Sequence, residues 1–101
     1  MFRCISDAIM VSKLYWRLID NNAEPLTFSE GFYLATVGGG AFFGKVGSFE
    51  KGYEMDALVL DDSQIRSALK LSVKERLERF IYLADEKGKI AAKYVAGTKI
   101  I

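Results

Sequence analysis

The chain has 101 residues, half of them apolar, and a formal net charge of +1. This length and composition fit one domain with an ordinary hydrophobic core, which argues against a disordered chain. The 14 basic and 13 acidic residues are interspersed, so nothing indicates a nucleic-acid surface, and no apolar run approaches the roughly 20 residues that span a bilayer.

The sequence contains no histidine. Zinc hydrolase sites, Ser-His-Asp triads and Cys-His pairs all use imidazole, because it titrates near neutral pH and binds metals through a neutral nitrogen. This chain alone therefore cannot form such a site. Cys4 is the only cysteine, so no internal disulfide can form. The first residues lack the pattern of a secretory signal, and we expect a cytoplasmic protein.

Residues 5–20 are predicted to form a helix that is apolar around most of its circumference. Its polar stripe is limited to Lys13, Arg17 and Asp20. A helix of this kind must be buried on several sides, and a short chain has little with which to surround it. We therefore expect a partner, either the rest of a larger protein or a second copy. The alternative is the central helix of a small α+β domain.

A second helix is predicted to follow the turn at residues 21–25. Thr27 and Glu30 have the spacing of a capping box, in which each side chain bonds the backbone amide of the other residue. Gly38 is predicted to end this helix in the left-handed conformation, which glycine adopts without a Cβ clash.

The segment from residue 38 to residue 62 is rich in glycine. Residues 39–45 match the spacing of a phosphate-binding loop, but Val46 stands where that motif needs a hydroxyl, and no helix opens after it. The glycines are therefore interpreted as sites of sharp turning and close packing. Asp56 is interpreted as a group that caps the backbone, and Asp61 and Asp62 as solvated turn formers. The predicted structural motif is Gly38, Gly39, Gly40, Gly44, Gly47, Gly52 and Asp56.

The second half of the chain predicts a strand, a helix and a hairpin. Residues 57–60 form an apolar run typical of a strand. Ser72 and Glu75 match a second capping box before a helix over 73–84, and residues 85–89 are predicted to turn the chain. Residues 90–101 predict a hairpin about Ala96-Gly97, which leaves a strand edge that can recruit another chain.

Several of these features together resemble the closing segment of the metal-dependent amidohydrolases. The shared features are a helix ending in Ala35-Thr36, a glycine cluster, and the pattern Gly-Ser-x-x-x-Gly-x-x-x-Asp-x-x-x-x-Asp from Gly47 to Asp61. Within that superfamily, residues 42–49, 77–85 and 94–99 are similar to the guanine deaminase family.

The resemblance implies an α+β fragment from the C-terminal end of a (β/α)8-barrel amidohydrolase. Residues 1–45 would be the last barrel helices, and residues 46–101 would be part of a small β-sandwich. In the full-length family a zinc ion activates water to convert guanine to xanthine and ammonia. The metal ligands and catalytic residues of that family lie upstream of the matching segment. Asp7 is not the family's metal-binding aspartate, because it lies at a helix start and not at a glycine-rich strand end.

We therefore expect no catalytic residue, no metal ligand and no cofactor bound by this chain alone. Its expected role is structural, its expected partner is the remainder of the barrel or a second copy, and neither nucleic acid nor membrane is expected. The alternative is a free-standing small α+β protein that self-associates or binds a protein partner.

Overall fold

A computed structural model describes residues 1–101, apart from the side chain of Asp85. The chain is α+β, as predicted, with three α-helices and one small antiparallel sheet. The elements in chain order are α1 (Phe2–Leu18), α2 (Phe28–Tyr33), a π-helical turn (Leu34–Gly38), a 3-10 turn (Ala41–Phe43), β1 (Ala57–Asp61), α3 (Val73–Lys87), β2 (Lys89–Val95) and β3 (Thr98–Lys99).

The hydrophobic core lies where α1, α2 and α3 meet. Ile5 and Ile9 of α1 are buried against Phe28 of α2 and Ile81 of α3. Next to them Phe80 packs edge-on against Phe2, with 5.5 Å between the ring centroids. Residues from both ends of the chain therefore build one core.

The sheet has the strand order β1-β2-β3, with antiparallel pairing throughout. Ala96 and Gly97 connect β2 to β3 with φ angles of 48° and 78°, and two positive angles are what a tight two-residue hairpin turn requires. Pairing continues beyond β3, because the Ile100 amide donates to the Lys93 carbonyl at 2.8 Å. The predicted hairpin and the predicted strand at 57–60 are confirmed.

The two predicted capping boxes differ. At Thr27 both bonds form, with the Glu30 amide donating to the Thr27 hydroxyl at 3.2 Å and the Thr27 amide to the Glu30 carboxylate at 3.1 Å. At Ser72 the hydroxyl accepts from the Glu75 amide at 3.2 Å, but it also donates to the Glu75 carboxylate at 3.1 Å. That carboxylate bonds the cap hydroxyl and not the cap amide, so the second prediction is half right.

The helix predicted over residues 5–20 runs from Phe2 to Leu18, and the predicted ends of the other two helices also differ from the structure. α2 does not end at a left-handed Gly38. Instead it continues into the π-helical turn that includes Gly38, and the first residue with a positive φ, of 105°, is Gly44. α3 runs to Lys87, three residues beyond the predicted end at residue 84. The turn predicted over residues 85–89 is therefore helical as far as Lys87, because charged residues are compatible with a helix and Lys87 is favourable in a last turn. Gly88, in an extended conformation, follows the last turn.

Candidate functional site

The glycine-rich segment folds back onto the helical residues that precede it. Gly47 has φ of 84°, and a Cβ there would lie 2.5 Å from the carbonyl carbon and oxygen of Thr36. A Cβ on Gly40 would lie 2.8 Å from a methyl group of Val46. These two positions have no room for a side chain. The backbone of Gly47 packs directly on the backbone of Thr36, and that of Gly40 packs on Val46.

The other glycines of the motif lie along the same path. A Cβ on Gly38 would meet the Tyr33 ring at 2.9 Å, and one on Gly39 would meet the Leu34 carbonyl oxygen at 2.6 Å. Gly44 and Gly52 have φ angles of 105° and 91°, a region that favours glycine. The loop they form is further held by a 2.8 Å bond from the Glu54 amide to the Lys45 carbonyl.

Asp56 joins this segment to the hairpin. Its carboxylate accepts a hydrogen bond from the Ala96 amide at 2.9 Å, and the neighbouring Met55 carbonyl accepts from the Gly97 amide, also at 2.9 Å. Both amides of the tight turn are thus bonded to residues 40 or more positions away. The carboxylate therefore bonds backbone, in keeping with its interpretation as a capping group.

Asp61 and Asp62 lie where β1 ends, and each bonds a different partner. Hydrogen bonds from Ser63 lower the pKa of Asp61, and the Ser63 amide lies 2.9 Å from its carboxylate. Arg76 on α3 donates two bonds of 2.8 Å to Asp62, which lowers the pKa of Asp62 and raises that of Arg76. A carboxylate with a lowered pKa is a weak base at neutral pH, so these groups are suited to tying β1 to its surroundings and not to proton transfer.

The two-bond contact between Asp62 and Arg76 was not predicted from the sequence. The residues are 14 positions apart and lie on different elements, so no local spacing connects them. A second feature that sequence reasoning missed is a shallow cavity of about 660 Å³. The cavity lies between the loop after β1 and the junction of α3 with β2. It is lined by Gln64, Arg66, Glu86, Lys87, Gly88 and Lys89.

The zinc implied by the resemblance does not fit the residues of this chain. The sequence has no histidine, and the described residues include no group of three or more cysteine and acidic side chains placed to hold a metal ion. A structural or catalytic zinc site needs three or four such ligands. We therefore derive no chemical step that passes through a metal on this chain.

The structure also has an exposed apolar surface. One face of α1 is buried, but Met10, Val11, Leu14 and Leu18 are all more than half exposed on the other side of the helix. We call these four residues the outer face of α1. Other exposed apolar side chains lie on the glycine loop and on the sheet: Phe42, Phe43, Phe49, Leu58 and Val59. None of the helices in the described range has the length and hydropathy of a bilayer span.

Comparison with known proteins finds guanine deaminases that are similar to this chain along its whole length. It is 33% identical to guanine deaminase of Dictyostelium discoideum over an alignment of 107 positions, which covers 99% of this chain and 23% of that enzyme. The human guanine deaminase is also 33% identical, over 113 residues that cover all of this chain and 24% of the enzyme. No protein-family model matches the chain.

A solved structure gives the same result. The chain superposes on guanine deaminase from C. acetobutylicum, crystallised with guanine in its active site, with a TM-score of 0.88 and 48% identity. The match covers 99% of this chain and 23% of that one, so the chain spans about a quarter of the length of the relatives it matches. The resemblance predicted from the sequence is thereby confirmed, and this chain is homologous over its whole length to the C-terminal segment of guanine deaminase.

Proposed function

We propose that this chain acts as the C-terminal segment of a guanine deaminase-like hydrolase, in which its role is structural and not catalytic. The observation that supports this most directly is the superposition of 99% of the chain on part of a solved guanine deaminase. Residues 1–45 supply the last helices of the barrel, and residues 46–101 supply part of the small β-sandwich. The complete enzyme converts guanine and water to xanthine and ammonia.

The polar groups of the chain are consistent with a structural role. Asp56 bonds the hairpin turn, Asp61 bonds the residue two positions on, and Asp62 bonds Arg76. Each of these three carboxylates is thus occupied in holding backbone or a neighbouring element. What the chain contributes to the enzyme is a rigid unit on which the catalytic part can pack.

A segment exchange tests the proposal. The matching quarter of the C. acetobutylicum enzyme is replaced by this chain, and guanine turnover and bound zinc are measured in the chimera. We expect turnover within about tenfold of the parent enzyme, a difference of about 1.4 kcal/mol in activation free energy. The isolated chain should show neither turnover nor stoichiometric zinc.

The matched control is the same chimera with Gly47→Val, which places a side chain against the Thr36 carbonyl. This variant should lose stability and turnover together. A folded chimera that binds zinc but does not deaminate guanine would contradict the proposal, as would turnover by the isolated chain.

A second candidate is a free-standing small α+β protein that self-associates or binds a protein partner. The exposed outer face of α1 favours it, because contiguous apolar surface commonly marks an interface. Light scattering of the isolated chain should then give a mass of at least twice 11.3 kDa. A mass that stays at one chain across the accessible concentration range would contradict self-association.

A further inference from the structure

The cavity between the loop after β1 and the junction of α3 with β2 has a cationic lining. Arg66 belongs to the loop, Lys87 and Lys89 belong to the junction, and Glu86 is the one acidic side chain among the lining residues. Three cations and one carboxylate give the lining a formal charge of +2, which exceeds the +1 of the whole chain. All three cations are exposed, so the positive charge is concentrated where a solute can reach it.

These cations are not neutralised by ion pairs among the described side chains. The ion pairs found there lie at the start of α1 and between Asp62 and Arg76. Asp61 is paired with Lys89 across the sheet, but its carboxylate accepts a 2.9 Å hydrogen bond from the Ser63 amide. An anion that enters the cavity therefore meets charges that no described carboxylate offsets at ion-pair distance.

Both walls of the cavity are anchored to α3. On the loop side, Arg79 of α3 donates a 3.0 Å hydrogen bond to the Arg66 carbonyl. On the junction side, Gly88 packs so closely that a Cβ there would lie 2.7 Å from the Ala84 Cα and 2.9 Å from the Phe80 ring. The backbone that carries the cations is thus held in place before a ligand arrives, which reduces the entropy that binding must overcome.

The lining selects the chemistry of a ligand. The cavity has a volume of about 660 Å³, within the range of roughly 300–1,000 Å³ that is typical of small-molecule sites. Its excess of positive charge disfavours metal cations and favours anions. An arginine binds a phosphoryl group through two parallel N–H bonds, lysines add point charges, and the Gln64 amide supplies a further donor. The C-terminal end of α3 carries a partial negative charge of only about half a unit, which the cations outweigh.

We propose that this cavity binds a phosphoryl dianion, held by Arg66, Lys87 and Lys89. The site goes beyond the structural role proposed above and does not depend on it. Glu86 is suited to accept a hydrogen bond from a hydroxyl group on the same ligand, so a phosphate monoester of a polyhydroxylated molecule would use the whole lining. A nucleic acid would need a longer basic stripe than these three cations supply.

Calorimetric titration of the full chain with inorganic phosphate and with ribose 5-phosphate tests the site. At constant ionic strength we expect saturable binding of one phosphoryl group per chain. Arg66→Gln and Lys89→Gln should each weaken it at least about tenfold, because each removes a charged hydrogen bond. Tighter binding of ribose 5-phosphate would identify the ligand as a phosphate monoester, and equal binding would identify it as free phosphate.

Two further variants separate a built site from general attraction by charge. Lys74→Gln removes the same charge at the other end of α3, where the side chain is exposed, and should change the affinity by less than about twofold. Glu86→Gln removes the repelling carboxylate and should strengthen the binding of inorganic phosphate by about threefold or more, an effect that damage to the fold would not produce.

Two results would overturn the inference. One is the absence of saturable binding of either probe, and the other is a loss from Lys74→Gln as large as that from Arg66→Gln. If the isolated chain aggregates, the same titrations are made with the segment-exchange chimera, and the same losses are expected there. An inactive chimera that binds phosphate keeps this site and removes the proposed function, whereas an active chimera without phosphate binding does the reverse.

Discussion

The two long helices contribute to the same core but differ in what they leave exposed. α3 buries Phe80 and Ile81 and carries a charged outer surface that includes Lys74, Glu75 and Glu78. α1 buries Ile5 and Ile9 and carries apolar residues on its opposite side. α3 therefore exposes mainly charged side chains, whereas α1 exposes apolar side chains opposite its buried face. The two helices share a core but differ in the surface that they present to solvent.

The largest effect is expected at the buried side of α3. Phe80 is 2% exposed and lies against Phe2, so Phe80→Ala removes a buried ring and leaves a cavity. We expect the free energy of unfolding to fall by about 3–5 kcal/mol, measured by urea denaturation. Val73→Ala on the same helix, where the side chain is 78% exposed, should change it by less than about 0.5 kcal/mol. Equal losses at the two positions would mean that α3 does not pack as described.

The same comparison on α1 should separate its two sides. Ile9→Ala should cost the isolated chain about 2–4 kcal/mol, because the side chain is 3% exposed. Leu14→Ala, with the larger part of its side chain in water, should cost less than about 1 kcal/mol. Denaturant titration of both variants checks this difference. A Leu14→Ala loss as large as that of Ile9→Ala would show that the outer face is already buried in the isolated chain.

A smaller effect is expected at the first turns. The N-cap of α3 is Ser72, whose hydroxyl accepts from the Glu75 amide, whereas the N-cap of α1, Met1, makes no side-chain hydrogen bond. Ser72→Ala should therefore destabilise the chain by about 1 kcal/mol, and Ser72→Asp should restore most of the loss. Circular dichroism during thermal unfolding measures both. A neutral Ser72→Ala would mean that water replaces the cap at no cost.

The sequence predicted most of the elements of this fold, because each left a local signal. The capping pair at Thr27, the apolar run at 57–60 and the Ala96-Gly97 turn each occupy a few adjacent residues, and each was found. The two-sided character of α1 was also predicted from the residues around its circumference. Of the predicted apolar stripe of α3, Val73 is exposed, because periodicity places a residue on a face but does not show how far along the helix the core extends.

Features that depend on distant residues could not be predicted in the same way. Because a π-helical turn forms at Leu34–Gly38, the first positive φ is at Gly44 and not at Gly38. No residue pattern in the sequence predicted this wider turn. The contact of Asp62 with Arg76 and the partner of Asp56 depend on tertiary structure. The absence of a catalytic site was inferred from the lack of histidine and from the resemblance, and it stays a prediction until the isolated chain is assayed for turnover and bound zinc.

The smallest effect concerns the contact that ties β1 to α3. Bonds from Arg76 hold the pKa of Asp62 below its ordinary value of about 3.9, so at acid pH the unfolded chain binds this proton before the folded chain does. The stabilisation is therefore fully present above about pH 4 and is lost as the pH falls through the lowered pKa.

We expect Asp62→Asn to unfold slightly more easily than the parent at pH 7, and the difference in midpoint to shrink below pH 4 and at high salt. Asp61, whose pKa is lowered mainly by its bonds from Ser63, is present in both proteins, but the charge of Asp62 raises its pKa, so this coupling is part of the measured difference. Arg76→Gln should give the same pH-dependent difference, and the double variant no more than either single one; a difference that persists unchanged at low pH would assign the effect to packing and not to the charge.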